Sequence, residues 1–84
     1  MPSHDRMIQL LQKLIVSGTK NQFKLFFHRY HEADIAEAVE DLSDDERTQF
    51  FLAISGEEGA DIFEEMDIDD QIEIIQNFKG KILL

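Results

Sequence analysis

Apolar side chains recur along this chain with the period of an α-helix. In the middle of the chain they fall at Ile35, Ala38, Val39 and Leu42, which are spaced i, i+3, i+4 and i+7. This spacing places all four on one face of a helix, whereas a strand would alternate apolar and polar residues. The same spacing elsewhere predicts six helices, near residues 4–17, 20–30, 32–41, 44–54, 57–66 and 68–79.

The apolar pattern repeats when the sequence is shifted by 24 residues. Leu42 then aligns with Met66, and the pair 50–51 aligns with the pair 74–75. A shift in the other direction aligns the pair 26–27 with the pair 50–51. Three copies of a helix pair are therefore predicted, and each copy needs a neighbour to bury its apolar side. We expect an all-α fold of stacked antiparallel helix pairs, with equivalent helices of adjacent copies side by side.

A residue that favours a helix start precedes the second helix of each copy, namely Thr19, Ser43 and Asp67. Their side-chain oxygens can accept hydrogen bonds from the free N–H groups of the first turn. Ser43 followed by Glu46 has the sequence of a capping box. Gly18 stands where the first helix should end.

The seven phenylalanines recur at helical spacing. We interpret them as the shared core of the array and not as an aromatic ligand site. They are residues Phe23, Phe26, Phe27, Phe50, Phe51, Phe63 and Phe78.

Composition then limits the classes of partner. The 84 residues fit one domain, predicted over 1–84, and carry a net charge of -10 from 18 acidic and 8 basic side chains. This charge disfavours nucleic acid and anionic membrane surfaces, which recruit Lys and Arg. No apolar run approaches the length that crosses a membrane, so we expect no direct membrane insertion. The chain has no cysteine, which excludes disulfides and thiolate metal sites.

Acidic side chains occupy matching places on the first helix of the second and third copies. Repulsion between two such rows on neighbouring helices would be relieved by a bound cation, and Mg²⁺ and Ca²⁺ prefer oxygen ligands. A solvated acidic face without a specific ligand is the alternative. The two rows are Asp34, Glu37, Glu40 and Asp41, and Glu58, Asp61, Glu64 and Glu65.

Other kinds of site have less support. The segment from Asp67 to Phe78 alternates acids as an EF-hand loop does, but Ile72 occupies the glycine position and Phe78 the position of the bidentate Glu. We interpret the acids there as a helix N-terminus. The chain has no glycine-rich phosphate loop and no nucleophile elbow, so we predict no catalytic residue and no enzyme. A substrate-sized pocket with a carboxylate of raised pKa would be needed to support one.

The segments "HEADIAEAVEDLSDDERTQFFLAI" (31–54) and "GADIFEEMDIDDQIEIIQNF" (59–78) resemble the N-terminal cytosolic domain of MgtE-type magnesium transporters. The similarity extends from about Phe23 to Phe78. The resemblance implies a right-handed superhelix at the cytosolic face of the cell membrane. It also implies that the domain pairs with CBS domains and a transmembrane pore of the same transporter, and closes the pore when cytosolic Mg²⁺ is high.

The resemblance further implies a regulatory Mg²⁺ ion, bound with low affinity. One family ligand maps onto Asp61, in the segment "ADIFEEM". The candidate metal ligands are therefore Asp61 and acids near it or on the neighbouring row, namely Glu57, Glu64, Glu65 and Glu37.

Two further expectations concern partners. The apolar residues Ile82, Leu83 and Leu84 have no polar cap after them, so we expect another element or a second chain to cover this end. We also expect the sequence to be a fragment or a short relative of a larger transporter's N-terminal domain. The alternative function is a metal-free interaction scaffold, because the middle domain of the flagellar motor-switch protein uses a similar helical repeat. The stacked acidic rows distinguish the two, since a scaffold does not need them.

Overall fold

The described part of the chain forms six α-helices with short connections. The computed structural model of the chain describes residues 4–54 and 56–82. All six predicted helices are present and their bounds differ from the prediction by at most three residues, so the prediction of an all-α fold is confirmed. The helices are α1 (His4–Ser17), α2 (Lys20–Arg29), α3 (Glu32–Glu40), α4 (Asp44–Ala53), α5 (Gly56–Glu64) and α6 (Ile68–Ile82).

Side chains that satisfy free backbone N–H groups set the helix starts. Thr19 accepts from the N–H of Gln22, and the Gln22 side chain accepts from the N–H of Thr19 in return. Ser43 and Glu46 form the same reciprocal pair, which confirms the predicted capping box. His31 begins α3 in a different way, because its Nδ1 accepts the N–H two residues further on, at 3.2 Å.

Gly18 ends α1 for a steric reason. Its N–H donates to the carbonyl of Leu14 at 2.8 Å. A Cβ atom on Gly18 would lie 2.6 Å from that same oxygen, which is closer than a carbon can approach without displacing the backbone. Because no glycine in the described residues has a positive φ, the close approach and not a left-handed conformation explains the glycine.

Equivalent helices of neighbouring copies lie side by side in three of the four cases, as the repeat predicts. Helices α2, α4 and α6 begin at Lys20, Asp44 and Ile68, so successive starts are 24 residues apart. α1 packs against α3, α3 against α5, and α4 against α6, with a further contact between α1 and α4. The second copy (α3 and α4) therefore lies between the first (α1 and α2) and the third (α5 and α6). The right-handed winding stays a prediction.

One apolar core runs through the three copies. Phe50 is fully buried, and its ring contacts the rings of Phe23, Phe27 and Phe51 at centroid distances of 6.3, 6.1 and 5.1 Å. Phe51 in turn contacts Phe63 at 6.2 Å, which joins the second copy to the third. All seven phenylalanines are buried or packed half-buried against the core, so their interpretation as core residues is confirmed.

Candidate cation site

Three carboxylates meet where the third copy packs against the second. Glu40 is the last residue of α3, and Asp67 and Asp70 lie at the start of α6. One oxygen atom from each lies within 4.8 Å of the others. The side-by-side packing of α3 and α5 brings the turn after α5 over the end of α3, which places these acids together. We call Glu40, Asp67 and Asp70 the junction acids.

Glu40 also caps α6 from a different helix. The backbone N–H of Asp67 donates to Oε2 of Glu40 at 3.4 Å. First-turn N–H groups carry the positive end of the helix dipole, so a carboxylate from α3 is favourable there. This contact fixes the Glu40 carboxylate beside the two aspartates and opposes their repulsion only in part.

Burial at the junction, together with the neighbouring Asp70, raises the pKa of Glu40. Burial, followed by the hydrogen bond with Asp70, raises the pKa of Glu40 to about 7, while the N–H of Asp67 acts in the opposite direction. Near neutral pH a proton therefore occupies Glu40 in a large fraction of molecules. A bound divalent cation would offset the same repulsion while Glu40 stays deprotonated.

Arg47 lies on the other side of Asp70 and holds α6 against α4. Its side chain is 7% exposed and pairs with Asp44 one turn earlier. Its Nη1 lies 3.7 Å from Oδ1 of Asp70, and its Nη2 lies 3.6 Å from Oε1 of Glu73. The Asp70 carboxylate thus contacts both the Arg47 guanidinium and Glu40, and a bound cation would have to share it with Arg47.

The five residues predicted from the sequence as metal ligands are all exposed, and none is a junction acid. Among the described residues, the junction acids are the one group of three potential ligands whose ligand atoms lie within 4.8 Å of one another. The predicted ligands themselves stay a prediction. They are Glu37 on α3, Glu57, Asp61 and Glu64 on α5, and Glu65 in the turn after it.

Three of the predicted ligands line three different depressions of the surface. Glu37 lies in one that also includes His4, Arg29 and Asp34. Glu57 lies with Lys24 and His28 in a second, and Glu64 lies with Lys79 in a third. Each of these depressions therefore has a basic side chain in its lining as well as the predicted ligand.

The sequence contained a signal for the junction acids that the prediction did not use. The acidic pattern assigns Glu40 to a row on α3, whereas Asp67 and Asp70 have the pattern of a helix N-terminus. Because adjacent copies are offset by 24 residues, the end of α3 must meet the end of α5 and hence the start of α6. Acids 27 and 30 residues after Glu40 fall at that start.

Asp41, another member of the acidic row, is engaged elsewhere. Its carboxylate contacts Nε2 of His4, at the first turn of α1. That hydrogen bond raises the pKa of the exposed His4 imidazole. The contact connects the first copy to the end of α3 and directs Asp41 away from the junction acids.

An apolar groove lies at the outer end of the third copy. It has a volume of about 700 Å³ and runs between α5 and α6, with Glu64 and Lys79 as its charged lining residues. Glu40, the carboxylate with the raised pKa, does not line this groove. The two features that would together support an enzyme therefore occur in different places. Its apolar lining consists of Phe51, Gly56, Gly59, Ala60, Phe63, Ile74, Ile75 and Phe78. The sequence predicts that another element or a second chain covers the chain end at Ile82, Leu83 and Leu84. The side chains of these residues lie outside the described part.

None of the helices in the described residues is long and apolar enough to cross a membrane.

Comparisons with known proteins give one family. Residues 30–83, more than half of the chain, match the MgtE intracellular N domain. The matched segment contains helices α3 to α6, the junction acids and all five predicted ligands. The corresponding searches of curated proteins and of solved structures gave no match. The resemblance inferred from the sequence is thereby confirmed, and the chain belongs to the MgtE intracellular N-domain family.

Proposed function

We propose that this chain is a cytosolic regulatory domain of a magnesium transporter or channel and that it responds to intracellular Mg²⁺. The observation that carries the proposal is the family match over residues 30–83. The gathering of Glu40, Asp67 and Asp70 at a packed junction supports it, because a charge change there acts directly on how two copies of the array fit together. The domain has no catalytic role in this proposal.

The junction acids fit a magnesium ion in chemistry and spacing. Mg²⁺ takes oxygen ligands at about 2.0–2.1 Å in an octahedron, and it usually keeps several waters while using one or two carboxylates. Oxygen atoms within 4.8 Å of one another can be joined through such a hydrated ion. Glu40, Asp67 and Asp70 would hold the ion, which would supply the positive charge that their mutual repulsion requires.

A second position for Mg²⁺ follows from the family resemblance. Asp61 corresponds to a family ligand, and Glu57, Glu64, Glu65 and Glu37 are the acids proposed with it. All are exposed on this chain. We propose that CBS domains of the same transporter complete a site on this face and connect it to the transmembrane pore. The three junction acids, in contrast, all belong to this chain.

A magnesium titration tests the proposal. The ¹⁵N-labelled chain is titrated with MgCl₂ at constant ionic strength, which is maintained by reducing NaCl, and the backbone amide shifts are followed. The expected result is a saturable change at residues 40 and 67–71, lost in Glu40→Gln. A saturable change around residues 57–65 that is lost in Asp61→Asn would instead place the ion on the second position.

Matched controls separate a specific site from general screening. Asp69→Asn removes one acid from the same turn of α6 but leaves the junction acids in place, so it should keep the wild-type titration. Small shifts that spread over all acidic residues and do not saturate would indicate ionic screening only. That result would reject an intrinsic magnesium site and favour the scaffold function.

A further inference from the structure

Positive charge is concentrated near the start of this acidic chain. Residues 6–31 hold five of the eight Lys and Arg residues and none of the 18 acidic residues. This segment therefore carries a charge of +5, while the rest of the chain carries -15. It contains most of α1 and all of α2, and all but its last two residues precede the segment 30–83 that matches the family. The family match therefore assigns no role to this positive charge.

Three of these lysines lie around the turn that joins α1 to α2. Lys13 is near the end of α1, while Lys20 and Lys24 are on the first turns of α2, and all three are exposed. At a rise of about 1.5 Å per residue, they lie within about 8 Å of the turn along their helix axes. No ion pair joins them to an acid among the described residues. This end of the helix pair is therefore a positively charged surface.

Exposed aliphatic side chains accompany the lysines. Val16 follows Lys13 by three residues on α1 and is 85% exposed. Leu25 is next to Lys24 on α2 and is 68% exposed. Large apolar side chains with so much exposed surface are costly in water unless something covers them. We call Lys13, Val16, Lys20, Lys24 and Leu25 the corner patch.

The corner patch continues toward α4 and ends at the start of α5. Lys20 and Lys24 line a depression with Leu52 of α4, which is 61% exposed. Glu58 of α5 lines the same depression, and Glu57 lines a neighbouring one. These two acids therefore mark the border between the basic surface and the acidic remainder of the chain.

Lysines and exposed aliphatic side chains together suit the surface of a lipid bilayer. Anionic headgroups attract basic residues, and aliphatic side chains gain free energy by leaving water at the boundary between headgroups and acyl chains. A nucleic acid would use the lysines alone, because Val16 and Leu25 offer no ring on which a base could stack.

The net charge of -10 disfavours an anionic membrane surface for the chain as a whole, but distance limits this effect. At physiological ionic strength charges are screened over about 8 Å, whereas the chain extends 37 Å along its longest axis. A bilayer that contacts the corner patch therefore responds mainly to the charges of that patch and less to those of the acidic copies.

We propose that the corner patch binds the surface of a bilayer that contains anionic phospholipids. Its three lysines contact the headgroup phosphates, and Val16 and Leu25 enter the boundary below them. No described helix crosses the bilayer in this arrangement. The proposal does not depend on magnesium binding, since the junction acids lie in the second and third copies.

Co-sedimentation with sucrose-loaded vesicles tests this proposal. Vesicles of phosphatidylcholine alone are compared with vesicles of equal parts phosphatidylcholine and phosphatidylglycerol, at physiological ionic strength. EDTA is present throughout, so that Mg²⁺ cannot bridge the acidic side chains to the lipid. The wild-type chain should sediment with the anionic vesicles and stay in solution with the neutral ones. Lys20→Gln and Lys24→Gln should each lower the partition coefficient by about fivefold.

Matched variants on α6 separate the patch from the chain as a whole. Lys79→Gln removes the same charge from an exposed position in the third copy and should leave binding unchanged. Leu25→Gln should lower the partition coefficient by about fivefold or more. Ile72→Gln, which changes an apolar residue 49% exposed on α6, should have no effect. Circular dichroism of each variant verifies that the helices remain folded.

Three results would overturn the proposal. The first is a wild-type chain that stays in solution with anionic vesicles, or that sediments equally with both kinds. The second is an equal loss of binding for Lys79→Gln and Lys24→Gln, because net charge and not the patch would then decide. The third is unchanged binding of Leu25→Gln, because the lysines would then serve any polyanion, nucleic acid included.

Discussion

Removal of the Glu40 carboxylate should change how the stability of the domain depends on pH. In the folded chain burial and Asp70 raise the pKa of Glu40 to about 7, from an ordinary value of 4.5. The folded state therefore holds this proton more tightly than the unfolded state does. The contribution of Glu40 to stability is most favourable below pH 4.5 and becomes less favourable as the pH rises to about 7.

The magnitude of this effect follows from the position of the side chain. A fully buried carboxylate with such a shift would contribute several kcal/mol, but Glu40 lies at a partly solvated junction, where water screens the interaction. We expect the Glu40 term to reduce the free energy of unfolding by about 1 kcal/mol between pH 4.5 and 7. For a domain of this size that corresponds to about 4–8 °C in Tm.

Urea unfolding followed by circular dichroism at several pH values measures this term as a difference. The free energy of unfolding of Glu40→Gln minus that of the wild type should rise with pH and level off above pH 7. The titrating groups away from the junction acids are common to both proteins and cancel in the difference. Glu65→Gln, which removes an exposed acid outside the junction acids, should follow the wild-type pH dependence. Parallel curves for Glu40→Gln and the wild type would refute the raised pKa of Glu40.

Three further predictions concern the fold. Phe50→Ala should cost about 3–5 kcal/mol in urea unfolding, because Phe50 is fully buried and contacts three other rings, and a cost below 1 kcal/mol would contradict its central place in the core. Ser43→Ala should cost about 1 kcal/mol by loss of the capping box, whereas unchanged stability in the same assay would show that the cap contributes little. Gly18→Ala should lower Tm in a thermal melt, since its Cβ would lie 2.6 Å from the Leu14 carbonyl, and an unchanged or raised Tm would show that the turn adapts without strain.

The helices and their order could be predicted because each is specified locally. Apolar spacing defines the helical faces, and Thr19 and Ser43 define two of the starts through contacts within one turn. The 24-residue repeat then predicts that equivalent helices pack side by side, which depends only on the same interface recurring. These features require no knowledge of the angles between helices.

The repeat offset predicts that the end of α3 faces the start of α6, but it does not fix how close the junction acids come to one another. Their proximity depends on how far the turn after α5 extends over the end of α3, and this distance is set by packing between copies. Sequence reasoning selected the acids that repeat at equivalent positions on the first helices. The structure instead brings together one first-helix acid and two acids from the start of a second helix. The buried position of Arg47, whose partners Asp70 and Glu73 come from the next copy, has the same origin.

The central claim, that this chain binds Mg²⁺ specifically, is tested most directly by the dependence of its stability on magnesium. The free energy of unfolding is measured at increasing MgCl₂ concentration, with a parallel NaCl series of matched ionic strength. A ligand that binds only the folded state raises this free energy logarithmically once its concentration exceeds the Kd. We predict that rise in MgCl₂ for the wild type, over and above the NaCl series. Identical curves in the two salts would contradict it.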